Sequence, residues 1–174
     1  MRKIFTPNFI FVASVIIIAI VSRLLPHLPN VTPVAAIALF GGTYISRKSL
    51  AFLFPLVILF ISDLFIGIYP EMYAVYISFA LTVLIGFILR KRVGLVNITL
   101  ASLSSSVIFF IVTNFAVWLS GTYSYPMNFN GLILCYEAAV PFFRNELFGT
   151  LAYNALFFGL YYFVRQKVSV FSQV

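Results

Sequence analysis

Apolar residues in this chain neither alternate with polar ones nor keep to one face of a helix. They run in unbroken stretches, at about 9–25, 31–46, 49–68, 72–89, 95–119 and 146–164. The first ends at Arg23 and a proline-rich stretch, and the second at Arg47-Lys48. The third ends at Tyr69-Pro70-Glu71, the fourth at Arg90-Lys91-Arg92, and the sixth at Arg165 and Lys167. A helix needs roughly 20 apolar residues to cross a bilayer's hydrocarbon. The pattern therefore predicts an all-α polytopic membrane bundle of six transmembrane helices, with 1–174 as a single integral membrane domain. A membrane barrel would show short alternating strands instead. The second run is the shortest, Pro33 stands near its start, and only Arg47-Lys48-Ser49 separates it from the third, so a hairpin that does not fully cross is the competing reading. The stretch 131–143 is apolar but too short to span, and reads as a surface or re-entrant helix ending near Pro141.

Composition agrees with lipid as the solvent. The chain is 63% hydrophobic and 9% charged, with a mean hydropathy of +1.09, far from the balance of soluble domains. The net charge of +7 raises nucleic acid as a partner. The basic residues form no single patch or arm, however, and none is expected. They fall in short clusters between the runs. With the N-terminus placed in the cytoplasm, Arg2, Lys3, Arg47, Lys48, Arg90, Lys91, Arg92, Arg165 and Lys167 lie inside, and only Arg23 and Arg144 outside. That asymmetry follows the positive-inside rule and predicts a multi-pass protein of a bacterial inner membrane with both termini cytoplasmic. Met1-Arg2-Lys3 and the run from Phe9 to Val21 have the form of a signal peptide, but Ser22-Arg23-Leu24-Leu25-Pro26 is a poor cleavage site, so a retained first span is expected.

In this orientation the unusual residues gather on the outer side. The first outer loop, from Arg23 to Pro33, carries His27 and Asn30 and is stiffened by three prolines. Asp63 precedes the turn holding Glu71. The last outer segment carries Tyr136, Glu137, Arg144 and Asn145, with Trp118 before it. Each has a structural alternative. Asp63 either caps or pairs with Arg23 or Arg144, or it meets a ligand. Glu137 and Glu146 read as interfacial, His27 as a loop residue, and the single Cys135 as a small buried side chain. No zinc site is expected from one His and one Cys. No H-E-x-x-H, G-x-S-x-G or P-loop occurs, so neither an enzyme nor a cofactor is expected. Thr99, Ser102, Ser106 and Thr113 form a polar stripe on the fifth run. Small faces at Ala35, Ala38 and Gly42, and at Gly149, Ala152, Ala155 and Gly159, suit close helix packing or docking of a partner.

The segments Arg23-Leu24-Leu25-Pro26-His27-Leu28-Pro29-Asn30-Val31-Thr32-Pro33-Val34-Ala35-Ala36-Ile37-Ala38-Leu39-Phe40-Gly41-Gly42 and Cys135-Tyr136-Glu137-Ala138-Ala139-Val140-Pro141-Phe142-Phe143-Arg144-Asn145 resemble those of an uncharacterised bacterial membrane family. The six-span plan with varied outer loops resembles the substrate-binding S-components of energy-coupling-factor (ECF) transporters. That resemblance implies a vitamin-like micronutrient bound from outside, and a membrane partner subunit of an ECF-like energising module. It also implies an alanine-rich docking face on the first helix, where this chain has only Ala13 and Ala19. The expected function is the substrate-binding component of a small-molecule uptake system. Its ligand would be held by Arg23, His27, Asn30, Asp63, Glu71, Trp118, Tyr136, Glu137, Arg144 and Asn145. The alternatives are a non-catalytic assembly scaffold docking through the small faces, and an intramembrane enzyme.

Overall fold

The computed structural model describes residues 7–26 and 28–167, with side chains described for 16–26 and 28–163. All regular structure among them is helical: α1 (Pro7–Leu24), α2 (Val34–Tyr44), α3 (Lys48–Ile66), α4 (Met72–Leu89), α5 (Leu95–Ser120) and α6 (Phe129–Lys167). Among the described residues α3, α4 and α5 are long and apolar enough to cross a membrane, the mark of a membrane protein. These three match the third, fourth and fifth apolar runs closely.

Two elements differ from the sequence expectation. The second run folds as a helix of only 11 residues, about 16 Å at 1.5 Å per residue and half the hydrocarbon thickness. Residues 131–143 are no separate surface helix. They open α6, a continuous helix of 39 residues that passes through Pro141. Proline leaves the Glu137 carbonyl without its helical donor but need not end a helix packed against neighbours.

The short α2 is the hub of the bundle. It packs chiefly on α4, and also on α3, α6 and α5. A helix that is apolar all round belongs in a core, and α2 is buried from Val34 to Leu39 and again from Gly41 to Thr43. Its small residues set how closely it approaches α4. A Cβ on Gly42 would stand 2.4 Å from the Val83 carbonyl oxygen, and one on Gly86 would stand 2.6 Å from that of Leu39. The two glycines let the backbones cross almost in contact. Arg90 closes the same end of α2, donating from Nη2 to the carbonyls of Gly42 and Ile45, each at 2.7 Å. A cation on the last carbonyls of a helix is favoured by its dipole.

Several buried hydroxyls satisfy themselves on their own helices. Ser62 donates to the Ile58 carbonyl at 2.7 Å, Ser78 to Ala74 at 2.7 Å and Ser105 to Ala101 at 2.8 Å. This back-bonding lets serine and threonine sit in an apolar bundle without a partner helix. Of the sequence-read stripe on α5, Ser102 and Ser106 are buried, Thr113 is half-buried, and Thr99 is exposed.

Candidate functional site

The ends of α1 and α3, the start of α4 and the facing halves of α5 and α6 surround a cavity at one end of the bundle. It lies at the end opposite the basic turns Arg47-Lys48 and Arg90-Lys91-Arg92. It has two chambers. The inner one, of about 110 Å³, is lined by Arg23, Asn30, Tyr69, Phe109, Glu146 and Thr150 among others. The outer one, of about 460 Å³, carries several aromatic side chains, Tyr123, Tyr125 and Phe142 among them, together with Glu71, Asn114 and Cys135. Asn30, Tyr69, Val75, Phe109 and Glu146 line both and form the neck between them.

One wall is an ionic network. Arg23, at the end of α1, places Nη2 2.8 Å from Oδ1 of Asp63 on α3. Asp63 is 1% exposed, and its other oxygen accepts the Tyr76 hydroxyl at 3.1 Å. A buried carboxylate needs such partners, because an unpaired charge in a low dielectric is costly. Tyr69, in the loop between α3 and α4, lies against the same guanidinium. Burial pushes its phenol up to about 12, the Asp63 charge adds to this, and Arg23 opposes it, so it remains a hydrogen-bond donor at neutral pH. The Arg23 Nη1 is buried and has no partner.

The opposite wall comes from α6. Glu146, Thr150 and Asn154 are four residues apart and share one helix face, turned toward Ser102 and Ser106 of the antiparallel α5. Oε1 of Glu146 accepts the Thr150 hydroxyl at 2.7 Å, and Asn154 donates to the Ser102 hydroxyl at 2.8 Å. Oε2 of Glu146, the Ser106 hydroxyl and Oδ1 of Asn154 are buried and unpartnered. The Ser106 hydroxyl lies against the Glu146 carboxyl, so the column forms a polar track through the apolar bundle.

The loop from Gly121 to Asn128 closes over the outer chamber. Its hold on α4 is Glu71, whose Oε1 accepts the hydroxyls of Ser120, at 2.6 Å, and Thr122. Burial works against the Glu71 charge, but the two donors outweigh it and hold the carboxyl below its usual value. Asn128 then caps α6 by accepting the Gly131 amide at 2.9 Å. Only glycine fits at 131, since a Cβ would fall 1.9 Å from the Pro126 carbonyl oxygen. Across the cavity Asn30 holds a φ of 66°, a left-handed conformation that asparagine tolerates better than most residues.

Of the residues expected from sequence to hold a ligand, Arg23 and Asn30 line the inner chamber and Glu71 the outer one. Asp63 stands behind Arg23 as its ion pair. The others are placed elsewhere. Trp118 donates its indole N–H to the Pro126 carbonyl at 3.0 Å, and its ring lies on Phe115. Tyr136 bonds the Ile111 carbonyl at 2.7 Å and packs on Phe110. Glu137 and Arg144 point away from the bundle and are exposed; Asn145 is half-buried and lines neither chamber. Their places follow from the unbroken helix: one continuous α6 cannot aim 137, 144, 145 and 146 at one cavity, and it is Glu146 that faces in. His27 lies outside the described residues. Sequence reasoning missed Glu146, Thr150 and Tyr69 as site residues. The available signal was the spacing of Glu146, Thr150 and Asn154 against the α5 serines.

The small faces divide in the same way. Ala38 and Gly42 are core, Ala35 lines the inner chamber, and Gly149 abuts Val31. Ala155 is exposed, and a Cβ on Gly159 would meet nothing within 4 Å, so that face packs nothing inside the bundle. Among the described residues no group of three or more His, Cys, Asp or Glu stands close enough to hold a metal.

Residues 3–171 match the model of a family described as a family of unknown function (DUF6580), and the chain belongs to that family. No curated protein and no solved structure matches it.

Proposed function

We propose that this chain is the substrate-binding membrane component of a small-molecule uptake system, taking its ligand from outside into the two-chambered cavity. The observation that carries this reading is the inner chamber, where the Arg23 Nη1 and the Glu146 Oε2 are both buried without a partner. Ligand sites are typically largely apolar pockets with a few polar anchors, and buried charged atoms left unsatisfied are expensive unless something fills the space between them. In the finer form of the proposal the bundle spans a bacterial inner membrane six times with both termini inside, and the cavity opens outward. The asymmetric distribution of lysine and arginine supports this orientation. The likeness to S-components supports an energising partner in the membrane. Neither catalysis nor a cofactor is part of the reading. Native mass spectrometry of the purified protein, with uptake assays in a deletion strain, tests it. A bound small molecule and a matching uptake defect are expected; repeated absence of both refutes it.

The outward face of Ala155 and Gly159 favours a second reading, an assembly scaffold. Under it Gly159→Leu loses a membrane partner while Glu146→Gln, which alters only the chamber, leaves the complex intact. Ala38→Leu would not test this, because Ala38 is fully buried.

A further inference from the structure

The inner chamber presents opposite charges at its two walls. Arg23 is held by Asp63 through Nη2, Tyr69 lies against the same guanidinium, and Nη1 makes no full hydrogen bond. Glu146 takes the Thr150 hydroxyl on Oε1, and Oε2, with the Ser106 hydroxyl beside the carboxyl, makes no full hydrogen bond of its own. With Arg23 neutralised by Asp63, the remaining formal charge is that of Glu146 when ionised. An anion alone would meet that charge unpaired, and a cation alone would leave the Nη1 donor without an acceptor. A head group bearing both an amine and a carboxylate answers both walls. Beyond the neck, the outer chamber offers Phe109, Phe110, Phe142, Tyr123 and Tyr125. Of its two acids, Glu146 stands at the neck and belongs to the head-group wall, and Glu71 already has its Oε1 occupied by two hydroxyls. That chamber suits an apolar or aromatic tail.

We infer that the ligand is a zwitterion with an amine-carboxylate head seated between Glu146 and Arg23, and an apolar or aromatic tail in the outer chamber. This rests on the ligand-binding reading above and narrows it to a chemical class.

Three probes separate the contributions: phenylalanine, which carries both groups; 2-phenylethylamine, which lacks the carboxylate; and 3-phenylpropionate, which lacks the amine. Binding to the full chain in detergent is followed by calorimetry and by thermal stability. Phenylalanine is expected to bind at least tenfold more tightly than either single-charge probe. Glu146→Gln should remove its advantage over 3-phenylpropionate, and Arg23→Lys, which keeps the charge beside Asp63, should reduce its advantage over 2-phenylethylamine. Equal or tighter binding of 3-phenylpropionate overturns the inference, as does failure of all three probes to bind. Full stabilisation by sodium chloride over choline chloride, with no amine present, overturns it too, since Glu146 would then serve an inorganic cation. A co-purified ligand without a basic nitrogen overturns the zwitterion assignment and leaves the uptake reading standing. No ligand at all and no uptake defect removes both.

Discussion

Arg23 and Asp63, 40 residues apart in sequence, meet at 2.8 Å and tie the end of α1 to α3 at the rim of the inner chamber. The pair does two things. It neutralises the one carboxylate in α3, and it holds the Arg23 guanidinium in the wall of the inner chamber. Removing one partner of a buried pair costs about 3 kcal/mol or more, because the other charge is left alone. Asp63→Ala is therefore expected to lower the thermal midpoint by several degrees, and the double variant Asp63→Ala/Arg23→Met to recover much of the loss. A double variant as unstable as the sum of the two singles would show that the pair is not coupled.

The crossing of α2 and α4 predicts a sharp contrast between glycines. Gly86→Ala places a methyl carbon against the Leu39 carbonyl and the Gly42 backbone, none of which can move without shifting a helix. Such overpacking costs about 1–3 kcal/mol, sometimes more. Gly159→Ala meets nothing and should be neutral, or stabilising by up to about 1 kcal/mol through helix propensity. Melting curves of the two variants in one detergent decide this. Equal effects would mean that α2 and α4 do not cross at their glycines.

Glu71 gives the bundle a pH dependence of definite sign. Its carboxyl is held below the usual value by Ser120 and Thr122. A group whose folded value is depressed adds stability above its unfolded value, and this is lost as pH falls through the folded value. The stability gap between wild type and Glu71→Gln should therefore be widest near neutral pH and shrink below about pH 4.5, the ordinary value for glutamate. A gap unchanged from pH 7 to pH 3.5 would show that the ionised carboxylate is not what the two hydroxyls stabilise.

The bounds of α3, α4 and α5 were legible because long apolar runs closed by basic residues, a turn proline or, after α5, the polar Ser120-Gly121-Thr122 have few other folds open to them. The depth of α2 was not. Hydropathy measures how apolar a segment is, not whether helix or lipid covers it, and α2 is covered by helices. The continuity of α6 was hidden by Pro141 and by the polar run Arg144-Asn145-Glu146, which reads as the edge of a membrane span. In the structure Arg144 turns outward and Glu146 inward, a distinction set by 100° per residue rather than by composition. The pairing of Asp63 with Arg23 was among the alternatives open from sequence. Glu146 was read as interfacial because nothing local says that Ser106 and Thr150 will surround it. That follows only once α5 and α6 are known to run antiparallel with Ser102 opposite Asn154.

Cys135 supplies a reporter that needs no engineering. It is the chain's single cysteine, is 2% exposed, and lines the outer chamber beside Asn114, whose carbonyl it approaches at 3.5 Å. A thiol so placed reacts only with reagents that enter the cavity, since reactivity follows access. In intact cells, a small membrane-impermeant methanethiosulfonate reagent should label it slowly from the outside if the cavity opens there. A bulky maleimide-polymer should not label it until the protein is denatured. A ligand filling the outer chamber should slow the small reagent several-fold, and Glu146→Gln should weaken that protection with no change in the unliganded rate. Labelling that proceeds only in inverted vesicles would place the cavity mouth on the cytoplasmic side and reverse the proposed orientation. Labelling by the bulky reagent in the folded protein would mean that the loop from Gly121 to Asn128 does not close over the chamber.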